Sequence, residues 1–326
     1  MRICLISPYY ENKPAPLGEA PGRYLHTDSV ASALARRKHD VVVVQAFREN
    51  RIERRGSAEF RYVRAPHRPS ARLAGGRLGF DLLIRGNLEQ LVQTAMDVRP
   101  DVVHMFSLAL LQPLLEIGAW CARARLPLTV SYHGGAPRPE PWLSGVQRRI
   151  LKRCHRVFYP TRFSADAWLA RGLLREEQVA MCMEVSSVFE PADRAATRLR
   201  TGMSGHPVFV WNAGLNARKD PLTAIRGFSL IRRTWPHAKL YMIYLTSEML
   251  GEVQAAIAAD PVLAGAVEMR GRIPHTQVED FLNSADFLLH SARSEIGCFG
   301  VLEAMACGVI PVATDIPLCR TVTRDG

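Results

Sequence analysis

Short runs of apolar, often β-branched residues alternate along this 326-residue chain with longer stretches in which apolar residues return every third or fourth place. Runs of the first kind read as buried parallel strands and stretches of the second kind as amphipathic helices covering them. From the N-terminus the pattern predicts a strand at Ile3–Ser7, a helix at Tyr24–Arg37 and strands at Val41–Val44 and Ala58–Val63. A helix at Leu82–Met96, a strand at Arg99–Phe106 and a helix at Leu108–Ala124 follow, and then a strand at Pro127–Tyr132 and a basic helix at Trp142–Arg156. A strand at Arg156–Pro160 and a helix at Arg162–Ala170 close this half, and Val179–Val188 reads as a crossing into a second one. The pattern then restarts with a strand at Pro207–Gly214, a helix from Pro221, and strands at Lys239–Leu245 and Val267–Arg270 separated by a helix at Glu252–Ala259. A helix at Thr276–Asn283 and a strand at Ser284–His290 lead to a helix carrying Phe299, Leu302, Met305 and Ala306, and to a last strand at Gly308–Asp315. Repeated strand–helix alternation predicts an α/β fold with doubly wound parallel sheets, and the restart divides it into residues 1–188 and 189–326.

The chemistry of the second half gathers at two strand-to-helix loops. Arg218 and Lys219 stand just before a helix that Pro221 opens, two cations beside unpaired backbone N–H groups, a place suited to a diphosphate. Glu295 precedes the helix of the last strand–helix–strand unit and Glu303 lies within it, at E-x7-E spacing, with Phe299-Gly300 at the helix start. A carboxylate so close to an anion-binding helix start suits a neutral partner such as a sugar hydroxyl. In the first half, His133 stands at the end of a strand, ahead of Gly134-Gly135, where an imidazole would lie at the carboxyl edge of the sheet.

The segment SEIGCFGVLEAMACGVIPVATD (Ser294 to Asp315) resembles the E-x7-E signature of the retaining glycosyltransferases of family 4. The resemblance implies the GT-B fold, two Rossmann-like domains facing a cleft, with residues 1–188 on the acceptor side and 189–326 holding a nucleoside diphosphate sugar. It implies that Glu295 holds sugar hydroxyls, Glu303 the ribose, and Arg218 and Lys219 the diphosphate, while Gly214, Phe299, Gly300 and Val301 surround the donor. Backbone groups around Ile273 would flank the base, and His133 would position donor and acceptor. The first loop, where family members carry a Gly-Gly pair, reads Pro21-Gly22 here, so Gly22 alone is expected at the donor. The hinge reads MEVSSVFEP in place of a Pro-Asn-Gly segment, and the arginine usual after Gly214 is absent, with Arg218 its replacement. Family members continue beyond Gly326 with further helices, so the second domain is expected to be shortened. The expected activity is transfer of a sugar from a nucleoside diphosphate to an acceptor with retention at the anomeric carbon. The alternatives are a sugar-phosphate synthase or epimerase of the same fold, and a non-catalytic partner subunit.

Composition narrows the alternatives. No G-x-G-x-x-G occurs, which removes the main support for a nicotinamide cofactor, and no D-x-D occurs, so neither cofactor nor metal is implied. Seven cysteines without a C-x-x-C pair read as reduced, mostly buried thiols. No apolar run approaches the roughly 20 residues of a membrane span, and MRICLISPYY reads as a strand in place of a signal peptide, which points to the cytoplasm. The formal charge of +11 is concentrated in the first half, where residues 1–195 hold 29 Lys and Arg against 19 Asp and Glu. Arg51, Arg54, Arg55, Arg61, Arg64, Arg68 and Arg72 make Arg48–Arg77 a candidate peripheral membrane contact or a solvated loop. Nucleic acid is not expected, because the segment lacks a reading helix or interleaved aromatics.

Overall fold

The computed structural model describes residues 1–11, 25–64, 88–108, 111–137, 141–183 and 186–324. Two compact units divide the chain, Met1–Val185 and Ser186–Gly326. Gly22 and its loop lie outside the described residues, as do residues 65–87, which include the start of the helix expected from Leu82.

In the first unit, eight strands form one sheet: β1 (Arg2–Glu11), β2 (Asp40–Phe47), β3 (Arg51–Arg55), β4 (Ala58–Arg64), β5 (Val102–Phe106), β6 (Leu128–Ser131), β7 (Arg156–Tyr159) and β8 (Val179–Met181). Their order is β3-β4-β2-β1-β5-β6-β7-β8, and all pairings are parallel except β3 with β4. Alternation along β1 and β2 sends Cys4, Ile6, Val42 and Val44 into one core and Ile3, Leu5, Val41 and Val43 into another. Both faces are therefore covered, by α1 (Leu25–Arg36) on one side and α2 (Leu88–Asp97), α3 (Leu111–Ala124), α4 (Pro141–Leu151) and α5 (Arg162–Ala170) on the other.

Three boundaries differ from the expected pattern. Half of the basic segment is a hairpin: Arg51 and Arg55 pair with Glu53, Arg55 also reaches Asp28 at 2.7 Å, and Arg61 reaches Glu59 at 2.6 Å. Alternating charge concealed the edge strand β3, because Arg51 and Arg55 pair with Glu53 along the strand, Arg54 reaches across to Glu59 at 3.7 Å, and aromatic neighbours, with Arg55 4.8 Å from the Phe60 ring, replace an apolar face. The basic helix stops at Leu151, since the chain turns there to supply Arg156 to β7. Part of the expected crossing is β8, whose Phe158–Ala180 and Tyr159–Met181 registers extend the first sheet.

The second unit opens with α6 (Arg194–Thr201). Its five parallel strands, β9 (Val208–Ala213), β10 (Lys239–Tyr244), β11 (Val267–Gly271), β12 (Phe287–His290) and β13 (Ile310–Ala313), lie in the order β11-β10-β9-β12-β13. The intervening helices are α7 (Pro221–Thr234), α8 (Leu250–Ala259), α9 (His275–Asn283) and α10 (Phe299–Ala306), with α11 (Pro317–Thr323) last. Phe209, Trp211, Leu240 and Met242 pack with Ala224, Ile225, Phe228 and Val253 of α7 and α8. Strand order reverses between β9 and β12, which pair directly through Phe287–Phe209 and Leu288–Val210. In an open parallel sheet that reversal leaves a crevice at the carboxyl ends of the two strands.

Candidate active site

The loops leaving β9 and β12 meet at that crevice. Ser291 joins them: its hydroxyl accepts from Trp211 Nε1 at 3.0 Å and donates to the Lys219 carbonyl at 2.9 Å. The Arg293 amide donates to the Arg218 carbonyl at 2.9 Å, so the backbone of the acidic loop is bonded to the backbone of the cationic one. Gly214 follows β9 directly, at a place where a Cβ would stand 2.8 Å from Thr246 Oγ1. Gly300, at the start of α10, is similarly close to β9, its Cβ position lying 3.4 Å from the Asn212 carbonyl oxygen.

Asp220 fixes the cationic loop. It adopts φ 45°, caps α7 through the Thr223 amide and hydroxyl at 3.3 and 3.0 Å, and receives Arg293 Nε at 2.9 Å. Burial raises its carboxyl, but these donors, Arg293 foremost, hold it below its usual range. Lys219 in turn directs its amide to the Asn216 side chain at 3.1 Å and its Nζ to Glu295 Oε1. Arg218 Nη1 reaches Glu295 Oε2 at 3.3 Å and the Ser294 carbonyl at 3.2 Å. Glu295 is thus a nearly enclosed carboxylate, its side chain 6% exposed, between a lysine 17% and an arginine 48% exposed. Burial opposes its charge, yet the adjoining His290 ring and Lys219 hold its pKa down to about 2. Each cation retains N–H groups beyond those used on Glu295, and Arg218 is half open to solvent.

The start of α10 is the second donor group. Cys298 precedes it with φ 48° and ψ 34°. The amides of Val301 and Leu302 already donate to the Cys298 carbonyl at 3.0 and 3.1 Å, and Val301 has a fully buried side chain. Phe299 and Gly300 supply the first amides of the helix, with the Phe299 ring 40% exposed. Further along α10, Glu303 accepts from His275 Nε2 at 2.8 Å, and this hydrogen bond raises the His275 pKa above its ordinary 6.5. His275 also lies 5.2 Å from the Phe189 ring. Ile273 follows β11 by two residues and is half-buried.

In the first unit, His133 stands beyond β6 with its Nε2 2.7 Å from Ser131 Oγ, which lies 3.2 Å from His104 Nε2. Its ring meets Phe106 edge-on at 5.6 Å, and Gly134 and Gly135 take φ values of 92° and 96° that favour glycine. Burial lowers the His104 pKa to about 3, with the neighbouring His133 adding to the effect, so His104 is a neutral bridge that orients the Ser131–His133 contact.

The structure therefore brings Arg218, Lys219 and Glu295 into one constellation, with Gly214 on the cationic loop and Phe299, Gly300 and Glu303 on the adjoining helix α10. Sequence reasoning missed Asp220, Arg293, Ser291 and His275, which hold those groups. It also missed a buried triple at the back of the acidic loop, where ligand atoms of His290, Cys298 and Cys319 all lie within 4.8 Å of one another.

Comparison with known proteins follows the same division. A model of Glycosyltransferase Family 4 matches residues 25–181 and one of Glycosyl transferases group 1 matches residues 207–326. D-inositol 3-phosphate glycosyltransferase 1 of Catenulispora acidiphila is 25% identical over 236 residues, which are 65% of this chain and 56% of that protein. The chain thus spans little more than half the length of this curated relative. Among solved structures, sucrose-phosphate synthase of Thermosynechococcus elongatus superposes with a TM-score of 0.69 at 17% identity, covering 97% of this chain and 81% of its own. Anabaena HepE, solved with UDP and glucose, gives 0.66 at 16% identity, covering 98% and 82%. The chain has the GT-B fold of glycosyltransferases, its first unit matched by the family 4 model and its second by the group 1 model.

Proposed function

We propose that this chain transfers a sugar from a nucleoside diphosphate to an acceptor, with retention at the anomeric carbon and without a cofactor or metal in the transfer step. The observation that carries the reading is the enclosed Glu295 carboxylate held against Arg218 and Lys219 at the β9/β12 crevice, beside the first amides of α10. Breaking the bond from the anomeric carbon to the diphosphate places negative charge on the leaving group. The remaining N–H groups of Arg218 and Lys219, with the Phe299 and Gly300 amides, stabilise that charge more in the transition state than in the ground state. Their positions are set by backbone bonds between the loops, so little reorganisation is needed as the charge develops.

Glu295, its charge already matched, accepts hydrogen bonds from neutral sugar hydroxyls. Glu303 serves the ribose, and backbone groups around Gly214 and Ile273 border the nucleotide. Val301 contributes through its buried side chain, which seats α10, since its amide is already used. His133 positions the sugar and acceptor. HepE, whose structure holds UDP and glucose, makes uridine diphosphate sugars the first donors to try. Sucrose-phosphate synthase, which has the same fold, keeps a phosphorylated sugar among the acceptors to test. We place the reaction in the cytoplasm. Among the described residues no helix is long and apolar enough to cross a membrane, and a peripheral contact would draw on the arginines of the first unit that are not paired within the hairpin.

Incubating the chain with uridine, guanosine and adenosine diphosphate sugars and candidate acceptors, then analysing products by mass spectrometry and NMR, tests this reading. An α-linked donor should yield free nucleoside diphosphate and an α-linked product. Product of inverted configuration would overturn the retaining mechanism, and donor binding without any transfer would favour a partner subunit.

A further inference from the structure

We propose that His290, Cys298 and Cys319 form a binding site for one soft divalent cation, with zinc(II) the ion their donor set fits. The three side chains come from different elements: His290 ends β12, Cys298 immediately precedes α10, and Cys319 is the third residue of α11. All are buried, at 7%, 1% and 3% exposure. Their ligand atoms lie within 4.8 Å of one another, with the two sulfurs 3.4 Å apart.

Two thiolates at about 2.3 Å from a tetrahedral zinc are about 3.8 Å apart, so binding requires the sulfurs to spread by a few tenths of an ångström. The second observation is the imidazole itself. His290 is buried, with its Nε2 3.2 Å from Glu295 Oε1 outside good hydrogen-bond geometry, so its ring sits between the carboxylate and the two sulfurs. A metal-bound imidazole commonly turns its other nitrogen to a carboxylate, an arrangement that the neighbouring Glu295 can supply. Two sulfurs and one imidazole suit zinc or its spectroscopic substitute cobalt(II) better than magnesium or calcium. Three protein ligands leave a fourth position for water or for the bordering Glu295 carboxylate. The ion would tie β12, α10 and α11 together behind the loop that carries Glu295.

The test uses the full chain, reduced and freed of metal with a chelator. Cobalt(II) titration of the wild type should give thiolate-to-metal charge transfer and the d–d bands of a tetrahedral site, saturating at one equivalent. Zinc(II) should displace the cobalt, and native mass spectrometry should show one retained zinc. C298S and C319S should each lose most of the charge-transfer intensity, whereas C154S, at a buried thiol in the other unit, should keep it. Circular dichroism on each metal-free variant confirms that it is folded. A wild-type cobalt spectrum without thiolate charge transfer overturns the proposal whatever the variants do, as does a spectrum that survives in folded C319S. Neither result bears on nucleotide binding, so this site and the transferase reading stand or fall separately.

Discussion

Replacing Lys219 by Met keeps the length of the side chain and removes its charge, and it isolates what the enclosed Glu295 depends on. The fall of the Glu295 pKa from 4.5 to about 2 corresponds to about 3 kcal/mol favouring the charged form, shared among all its neighbours. Besides the His290 ring, Lys219 contributes through both its charge and its hydrogen bond, and with 17% exposure against 48% for Arg218 it is the better desolvated of the two cations. We therefore expect K219M to cost about 2 kcal/mol, less than the usual loss on breaking a buried pair because Arg218 remains 3.3 Å away. For a unit of this size that is a fall of about 7 °C in its unfolding midpoint, read by scanning calorimetry with the transitions of the two units resolved. Replacing Glu295 by Gln removes the charge that needs a partner, so the double variant K219M/E295Q should be more stable than the sum of the single losses by at least about 1 kcal/mol. Additive losses, or a K219M variant as stable as wild type, would refute the argument that the two side chains stabilise each other across the crevice.

Two further perturbations reach the supports of the site. D220A removes the cap of α7 and the acceptor of Arg293, and should lower stability by about 1–2 kcal/mol in urea unfolding, with D220N retaining part of the loss because its amide oxygen still caps. The His275–Glu303 bond should make stability depend on pH. The His275 pKa is raised in the folded state, so its contribution is complete below about 6.5 and disappears as pH rises through the folded value. The difference in unfolding midpoint between wild type and H275A should therefore shrink with rising pH, and a difference that grew would reverse the assigned sign.

Much of this arrangement is written into local sequence. Buried parallel strands are continuous apolar runs, so β1, β2, β9, β10 and β12 declare themselves, and the cationic and acidic loops follow because Pro221 and the Phe299-Gly300 pair mark helix starts. Strand β4 was legible but its hairpin partner β3 was not, because the charge pairing of β3 resembles a solvated segment. Asp220 and Arg293 are 73 residues apart and meet only through the β9–β12 neighbourhood, which no periodicity announces. The His290–Cys298–Cys319 triple was hidden for the same reason. Its spacing matches no short ligand motif, and only the return of α11 against the start of α10 closes it. Absence of C-x-x-C was therefore a weaker guide to thiol clustering than it seemed from sequence.

The central claim is that a diphosphate rests on Arg218 and Lys219. Calorimetric titration of uridine, guanosine and adenosine diphosphates into wild type, R218A and K219M measures it directly. One nucleotide should bind wild type and lose about 10- to 100-fold in affinity in each variant, as expected when a charge-assisted hydrogen bond is removed. Binding that is unchanged in both variants, or no binding by any of the three to the folded wild type, would contradict the account.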